Sequence, residues 1–345
     1  MTEILIAGGG PAGAAAAIAG RLEGSPVRLV DRAATLRHKV CGEFISPDAS
    51  EILEALEVWH NFEALRPCRI RRCLLHLGSR TEQWSLPECA WGLSRLQLDR
   101  LLIEKASALG AIVLRGEGLD WRGANRAEGP VILACGRAQA TKQCDRLFGF
   151  KAHFEGPSDD AVELFFDRQG YVGVGGIEDG LTNVCGIAPE SLLRRYGFDF
   201  DETVLRSPAL AERLRPLRRR MGWIVTGPLS FVPPSTGDLR TGIYPAGDSL
   251  TFVDPFTGSG ILNALLTGRL AGRAAARRIP RSEYMKACRS LLGRAFFISS
   301  MLRRLAGHTE VHSLAHYLPG QALFRLTRAS FASTSGTHAP AWSRS

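Results

Sequence analysis

The chain opens on an apolar run, Thr2 to Ala7 (TEILIA), that meets a glycine cluster and then the alanine-rich run Ala14 to Ala19. A second apolar run, Val27 to Val30, ends on Asp31. This order predicts strand, tight turn, helix and strand. After a polar, basic stretch from Arg32 to Lys39, a helix is predicted from Ser46-Pro47-Asp48 to about Trp59. Ile52, Leu53, Leu56 and Trp59 keep helical spacing there, with Ser46 as N-cap and Pro47 at the first helical position. Ile70 to Leu77 and Gln83 to Leu86 alternate as strands do. Leu96 to Leu109 reads as an amphipathic helix through Leu98, Leu101, Leu102 and Ala106. Ala111 to Leu114 and Val131 to Ala134 read as buried strands, and the alternation predicts a parallel sheet with helices on its faces.

From Leu147 to about Pro234 the pattern changes. Short alternating runs dominate: Phe150 to Phe154, Val162 to Asp167, Tyr171 to Val174, Thr182 to Ile187 and Gly222 to Thr226, interrupted by a helical piece from Glu190. They predict a mainly antiparallel sheet. Gly242 to Pro245 returns to the first style, a helix follows from Ile261 to Arg277, and further helices are predicted over Arg281 to Arg304 and Ser313 to Thr327. The expected fold class is α/β: a Rossmann-like domain with a parallel sheet (1–146 and 236–285), and an inserted, mainly antiparallel substrate domain (147–235). C-terminal helices (286–330) and a tail (331–345) complete it.

Composition changes little: 45% hydrophobic and 22% charged residues are ordinary for a globular chain. Neither a signal peptide nor an eighteen-residue apolar span is read. The eight cysteines are scattered, with no CxxC and no Cys/His cluster, which argues against zinc and for no metal, and fits a reducing cytoplasm. The formal charge of +9 is mostly arginine, as in the cluster Arg213, Arg215, Arg218, Arg219 and Arg220. A solvated basic face is the plain reading, and an anionic ligand or membrane surface the sharper one. No nucleic-acid motif accompanies the charge, so nucleic acid ranks last. Leu291 to Leu305 is apolar on one side and basic at both ends. It reads as a helix packed on the domain, with a peripheral membrane contact as the alternative.

Gly8-Gly9-Gly10-Pro11-Ala12-Gly13 is the first stretch that carries chemistry. Gly8 allows a tight turn, Gly10 lets backbone approach a pyrophosphate, and Gly13 lets the helix lie close on the sheet. Free N–H groups at the helix start face the diphosphate, and Asp31, 18 residues past the last glycine, sits where a carboxylate accepts from ribose hydroxyls. These residues alone predict a dinucleotide without saying which.

With Arg95 and Asp99, Ala246-Gly247-Asp248 and Asp254-Pro255, this stretch resembles the FAD-dependent group that contains aromatic-ring hydroxylases and geranylgeranyl reductases, from Ile4 to about Arg277. The resemblance implies non-covalent FAD, since no His or Cys stands out as a linkage site. It implies that Gly8, Gly10, Pro11, Ala12, Gly13, Asp31 and Arg32 hold the adenosine diphosphate side, and that Arg95 contacts the cofactor. Gly247 and Asp248 would bind the ribityl chain, and Asp254, Pro255, Gly258, Ser259 and Gly260 would lay a helix start beside the flavin ring. A helix dipole there suits the negative charge of reduced flavin.

Lys39-Val40-Cys41-Gly42 is similar to the cysteine-glycine loop of geranylgeranyl reductases near the flavin ring, and Gly170-Tyr171 with Gly180-Leu181-Thr182-Asn183-Val184 to their GY…G…NV strand pair. The Trp and Pro expected between those two parts are absent. Cys135-Gly136 stands where the hydroxylases carry Asp-Gly, which leaves NAD(P)H as electron donor in question, and the halogenase WxWxIP motif is missing. Cys41, Glu43 and Tyr171 are the flavin-proximal candidates. Glu43 is an acid/base or a surface glutamate, and His38 a cofactor contact or a polar loop residue. The first expectation is a flavin monooxygenase acting on an apolar small molecule, aromatic or polyketide-like. A geranylgeranyl-reductase-like enzyme is the alternative, and a flavin-binding partner protein with reduced catalysis the third reading. The expected location is cytoplasmic or membrane-peripheral, and the oligomeric state is left open.

Overall fold

The computed structural model describes residues 2–78, 80–119, 129–136, 146–167, 170–229, 242–251, 258–292 and 342. Its strands are β1 (Ile4–Ala7), β2 (Val27–Asp31), β3 (Phe44–Ile45), β4 (Cys68–Leu77), β5 (Arg80–Gly92), β6 (Ile112–Arg115), β7 (Val131–Leu133), β8 (Leu147–Glu155), β9 (Ala161–Asp167), β10 (Gly170–Gly176), β11 (Leu181–Pro189), β12 (Arg218–Arg219), β13 (Ile224–Leu229) and β14 (Ile243–Pro245). Its helices are α1 (Pro11–Leu22), α2 (Ala49–Ala55), α3 (Trp59–Ala64), α4 (Arg95–Ala108), α5 (Glu190–Arg195), α6 (Phe200–Leu205), α7 (Pro208–Leu214) and α8 (Gly260–Ala276), and residues 281–292 are also helical.

The first sheet is parallel, in the order β14-β7-β1-β2-β6. Its central strand β1 runs into the glycine turn, so the turn emerges at the carboxyl edge where open α/β sheets take their ligands. Two helices lie against each other over this sheet. Added Cβ atoms on Gly268 and Gly272 of α8 would collide with the backbone oxygens of Ala12 and Ala16 on α1. Small residues on both sides thus let the helices touch backbone to backbone, and that contact carries the start of α8 to the glycine turn. The 281–292 helix is fastened to the same sheet, its Tyr284 hydroxyl donating to Pro245 O (2.6 Å). Of the helix predicted over 281–304, residues 281–292 are described and helical, and the rest lies outside the described residues. The later predicted helix and most of the tail lie outside the described residues.

The second sheet orders its strands β12-β8-β11-β10-β9-β4-β5-β3, with β13 also on β8. It is antiparallel except where β4 runs beside β9. One face buries Phe150, Ala152, Phe154, Val172, Val174 and Val184 against Leu192, Leu193, Val204, Leu210 and Leu214 of α5 to α7. The other face turns to the loop around Cys41.

Two expectations change. The hairpin β4–β5, read as part of the 1–146 stretch of the parallel-sheet unit, hydrogen-bonds into the second sheet. Alternation within a strand reveals a buried face but not the partner. The single helix read from Ser46 to Trp59 is two, α2 and α3, broken at Glu57 (φ 55°). In a straight helix Val58 would point roughly 200° away from Leu56. The left-handed residue swings it back, and Leu56, Val58 and Phe62 all reach the core.

Candidate active site

The glycine turn fits the task read from its sequence. Gly8 is left-handed (φ 104°), and a Cβ on it would strike Ala134 O. A Cβ on Gly13 would strike Gly8 O, so any larger residue parts helix from strand. Gly10 differs: its Cβ direction looks into open space, with Arg95 Nη2 nearest at 3.8 Å. Gly10 is also the N-cap of α1 with Pro11 behind it and no side-chain cap, so the first helical N–H groups are offered outward. Asp31 closes the turn by accepting from Gly9 N (3.2 Å) and Ala33 N (3.1 Å). The stem of Arg32 runs past Gly118.

Gly247 (φ 58°) donates its N–H to Thr267 Oγ1 at 2.9 Å, which fixes the Gly247-Asp248 turn on α8. A small cavity lies there, lined by Gly247, Asp248, Thr251, Gly260, Asn263 and Ala264 among others. Gly258 is left-handed, Ser259 is fully buried, and Gly260 starts α8. Asp254 and Pro255 lie outside the described residues. A cradle open above Gly10, outward N–H groups at one helix start and a second glycine-rich helix start suit the phosphates of a dinucleotide such as FAD.

Arg95 links this cradle to the rest. Ser94 caps α4, its Oγ accepting from Gln97 N (3.3 Å). Arg95 then forms a fork with the buried Asp99 (3.0 and 3.2 Å), which Lys39 also reaches at 2.9 Å. Burial alone would lower the guanidinium's pKa, but Asp99 and the neighbouring Cys41 thiol raise it above its ordinary value.

Glu43 is not a surface residue. It is fully buried at a left-handed φ of 55°, in the loop between Arg95 and the second sheet. Its carboxylate accepts from Arg95 N (2.6 Å), from the Lys151 ammonium, and meets His153 Nε2 at 2.7 Å. Burial pushes the carboxyl up, yet the His153 hydrogen bond and the Lys151 charge outweigh it, so its pKa lies below the ordinary carboxylate value. His38 stands edge-on to His153 at 4.9 Å, and its Nδ1 is buried without a partner. Burial, then the charges of Lys151 and His153, lower its pKa and favour the neutral ring. His38, Glu43 and His153 place ligand-type atoms within 4.8 Å of one another, but Lys151 occupies the same carboxylate.

Asn183 completes the loop's attachment. Its Nδ2 donates to Cys41 O (3.1 Å) and Gly42 O (3.0 Å). Cys185, two residues on along the same face, lies against Gly42, and burial pushes its thiol up to about 12. Tyr171 shares that face by register and stacks on Phe166 at 5.4 Å. Cys135 donates its thiol to Ala7 O (3.4 Å), and burial raises its pKa. The seven described cysteines are free thiols.

Lys151, His153 and the role of Lys39 were not read from the sequence. A signal was there: Lys151 and His153 alternate with Phe150, Ala152 and Phe154, placing two polar side chains on one face of an otherwise apolar strand. The arginine cluster, by contrast, faces carboxylates throughout: Arg213 with Glu163, Arg215 with Glu212, Arg218 and Arg220 with Glu155, and Arg219 with Asp201.

Fold and site together fit an FAD-dependent oxidoreductase similar to the aromatic-ring hydroxylase and geranylgeranyl reductase group, with FAD as its cofactor. Residues 1–125 match the family described as FAD binding domain. Over 94% of this chain and 92% of its own length, digeranylgeranylglycerophospholipid reductase 2 of Methanopyrus kandleri is 24% identical. Among solved structures, the flavin-dependent brominase Bmp2 superposes with a TM-score of 0.77 at 16% identity, covering 94% of this chain and 93% of its own. A geranylgeranyl bacteriochlorophyll reductase-like protein of Thermoplasma acidophilum superposes with a TM-score of 0.71 at 18% identity, covering 96% and 95%. Among the described residues, no helix is long and apolar enough to cross a membrane.

Proposed function

We propose that the chain reduces a carbon–carbon double bond of an apolar, lipid-like substrate such as a prenyl chain. One observation carries this reading. The two stretches that resemble geranylgeranyl reductases, Lys39 to Gly42 and the Asn183-Val184 strand, are joined directly by Asn183 Nδ2 on the Cys41 and Gly42 carbonyls. The full-length likeness to a digeranylgeranylglycerophospholipid reductase supports the same reading. The order of the first two expectations is thereby reversed.

FAD, held by the Gly8–Gly13 turn, Asp31, Arg95, Gly247-Asp248 and the start of α8, supplies two-electron transfer when bound. The chain's own part is to hold the Cys41–Gly42 loop at one place between cradle and sheet, and to present an apolar floor. Val162, Leu164, Phe166 and Tyr171 are only partly buried on the sheet face that Asn183 and Cys185 share. Gly173 and Gly175 leave that floor low: a Cβ there would meet only ordinary contacts, at 3.5 Å or more.

Those glycines also support a second reading. They stand in the segment where the reductase pattern expects a Trp, and an open floor would suit a ring as well as a chain. A monooxygenase acting on an aromatic or polyketide-like molecule therefore remains the alternative. The test is anaerobic incubation of FAD-loaded protein with geranylgeraniol and dithionite, with products read by mass spectrometry. Gain of hydrogen at a double bond supports the reductase. No saturated product, together with an oxygen-containing product from a phenolic probe in air with NADPH, overturns it in favour of the alternative. Protein that binds no FAD overturns both.

A further inference from the structure

We infer that His38, His153 and Glu43 form a proton path between solvent and the cofactor-side pocket, with Lys151 fixing the charge on Glu43. Glu43 and Lys151 alone make a neutral, buried ion pair that would hold the loop. Two imidazoles are surplus to that need. His153 touches the carboxylate at 2.7 Å with its side chain only 4% exposed. His38 is partly exposed and lies edge-on to His153, while its buried Nδ1 has no partner. An enclosed, unpartnered polar atom is destabilising, so an apolar residue would serve a purely structural loop better. The cluster's placement supplies the reason. Glu43 accepts from the backbone of Arg95, whose guanidinium reaches both the Gly10 cradle and the Cys41 thiol.

The role asked of it is one proton per turnover. This rests on the reading that reduced FAD meets its substrate at the Cys41–Gly42 loop. In double-bond reduction one carbon takes a hydride with its electron pair, and the π pair takes a proton at the other carbon. That proton leaves the imidazolium form of His153, whose ring keeps its electron pair and its hydrogen bond to Glu43. His38 then takes a proton from solvent hydronium or buffer acid and returns it to His153. No further oxidant or reductant is involved. The charged and titratable groups facing the path are Lys151 from β8, Arg95 and Asp99 from α4, Lys39 and Cys41 from the loop itself, and Cys185 from β11. His153 is the proton donor to the substrate, and His38 and Glu43 are positioning and proton-holding residues.

The test needs no substrate, so its failure is separable from failure of the proposed reaction. FAD-loaded protein is reduced anaerobically with light and a mediator. Its midpoint potential is followed against pH, and the rate of proton uptake with an indicator dye. The wild type is expected to show an inflection in that plot. His153→Gln should lose the inflection while keeping FAD. His38→Gln should keep it but take up the proton at least tenfold more slowly. Superimposable curves for wild type and His153→Gln, or uptake in His38→Gln as fast as wild type, overturn the proposal. Should His153→Gln fail to hold FAD, the His38→Gln rate decides alone. One equivalent of zinc retained through desalting and lost in His38→Gln would make the trio a metal site instead, and also overturns it.

Discussion

Replacing Lys151 by Met should destabilise the protein in a way that fades as the solution is acidified. In the wild type Glu43 is ionised below its ordinary pKa. It therefore contributes stability that is present above the unfolded value of about 4.3 and lost as pH falls through the lower folded value. Lys151→Met removes the countercharge without opening the site, since both side chains are fully buried. Burial then dominates and the folded pKa rises. The penalty is bounded by the cost of protonating the carboxyl instead, about 1.4 kcal/mol for each pH unit above 4.3. That is about 3.7 kcal/mol at pH 7 and about 1 kcal/mol at pH 5. His153 and Arg95 N still contact the carboxylate. The expected deficit is therefore about 2–3.7 kcal/mol at pH 7, overlapping the roughly 3–5 kcal/mol for breaking a buried pair, and about 1 kcal/mol at pH 5. Urea unfolding of FAD-loaded protein, followed by tryptophan fluorescence at both pH values, measures it. Lys105→Met, which breaks the exposed pair with Glu57, is the control and should cost under about 1 kcal/mol at either pH. A Lys151→Met deficit that stays constant between pH 7 and pH 5, or grows on acidification, would refute the assignment of Glu43 as a buried anion held by Lys151.

Gly13→Ala should yield protein that purifies largely without FAD, because the new Cβ collides with Gly8 O and opens the turn; absorbance near the flavin bands checks this. Asn183→Leu removes both bonds to the Cys41 and Gly42 carbonyls while leaving the cradle untouched. FAD content should stay near one per chain while turnover falls at least tenfold, and unchanged turnover would separate the loop's position from catalysis. Gly175→Ala should fold as well as wild type or better, since its Cβ meets nothing closer than Val162 Cγ2 at 3.8 Å and glycine inside regular structure costs roughly 0.5–1 kcal/mol. Gly175→Leu should raise KM for a geranylgeranyl probe at least tenfold with FAD retained; an unaltered KM would remove this face from the substrate's path.

The sequence carried the cradle almost completely, because that site is local. Gly8, Gly10, Gly13 and Asp31 lie within one βαβ unit; Gly8 and Gly13 have steric duties that few other residues can meet, Gly10 leaves the cradle open, and Asp31 closes the turn by hydrogen bonds. The parallel sheet, the change of style at Leu147 and the helix from Gly260 were legible for the same reason: periodicity is a property of neighbouring residues. The Glu43 cluster was not. Its members come from residues 38 to 43, from 95 and from 151 to 153, and nothing in any one of those stretches requires the others. Glu43 taken alone in a loop reads as an acid/base or a surface glutamate, because its partners are distant in sequence. Only strand register, which lays β8 beside β11 and both beneath the loop, turns it into a buried anion. The hairpin β4–β5 was misplaced on the same ground, since its partner β9 begins more than eighty residues later.

The loop from Lys39 to Glu43 is therefore best understood as a strut between two sheets. At one end Lys39 and Glu43 reach α4, through Asp99 and Arg95 N, and Arg95 in turn borders the diphosphate cradle. At the other end Lys151, His153 and Asn183 hold it to the second sheet. Every one of these attachments is polar, and most are buried, so each is costly to leave half-made. Such a strut favours one position over a range of positions. Occupation of the cradle and the placing of Cys41 beside the second sheet are then coupled through Arg95. Arg95→Leu should weaken both together: it deletes the contact with the cradle and leaves Asp99 to Lys39 alone. FAD affinity and the reactivity of Cys41 toward a thiol reagent, measured on the same preparation, should change in parallel. Loss of FAD with the thiol as protected as before would show that the two ends of the strut act independently.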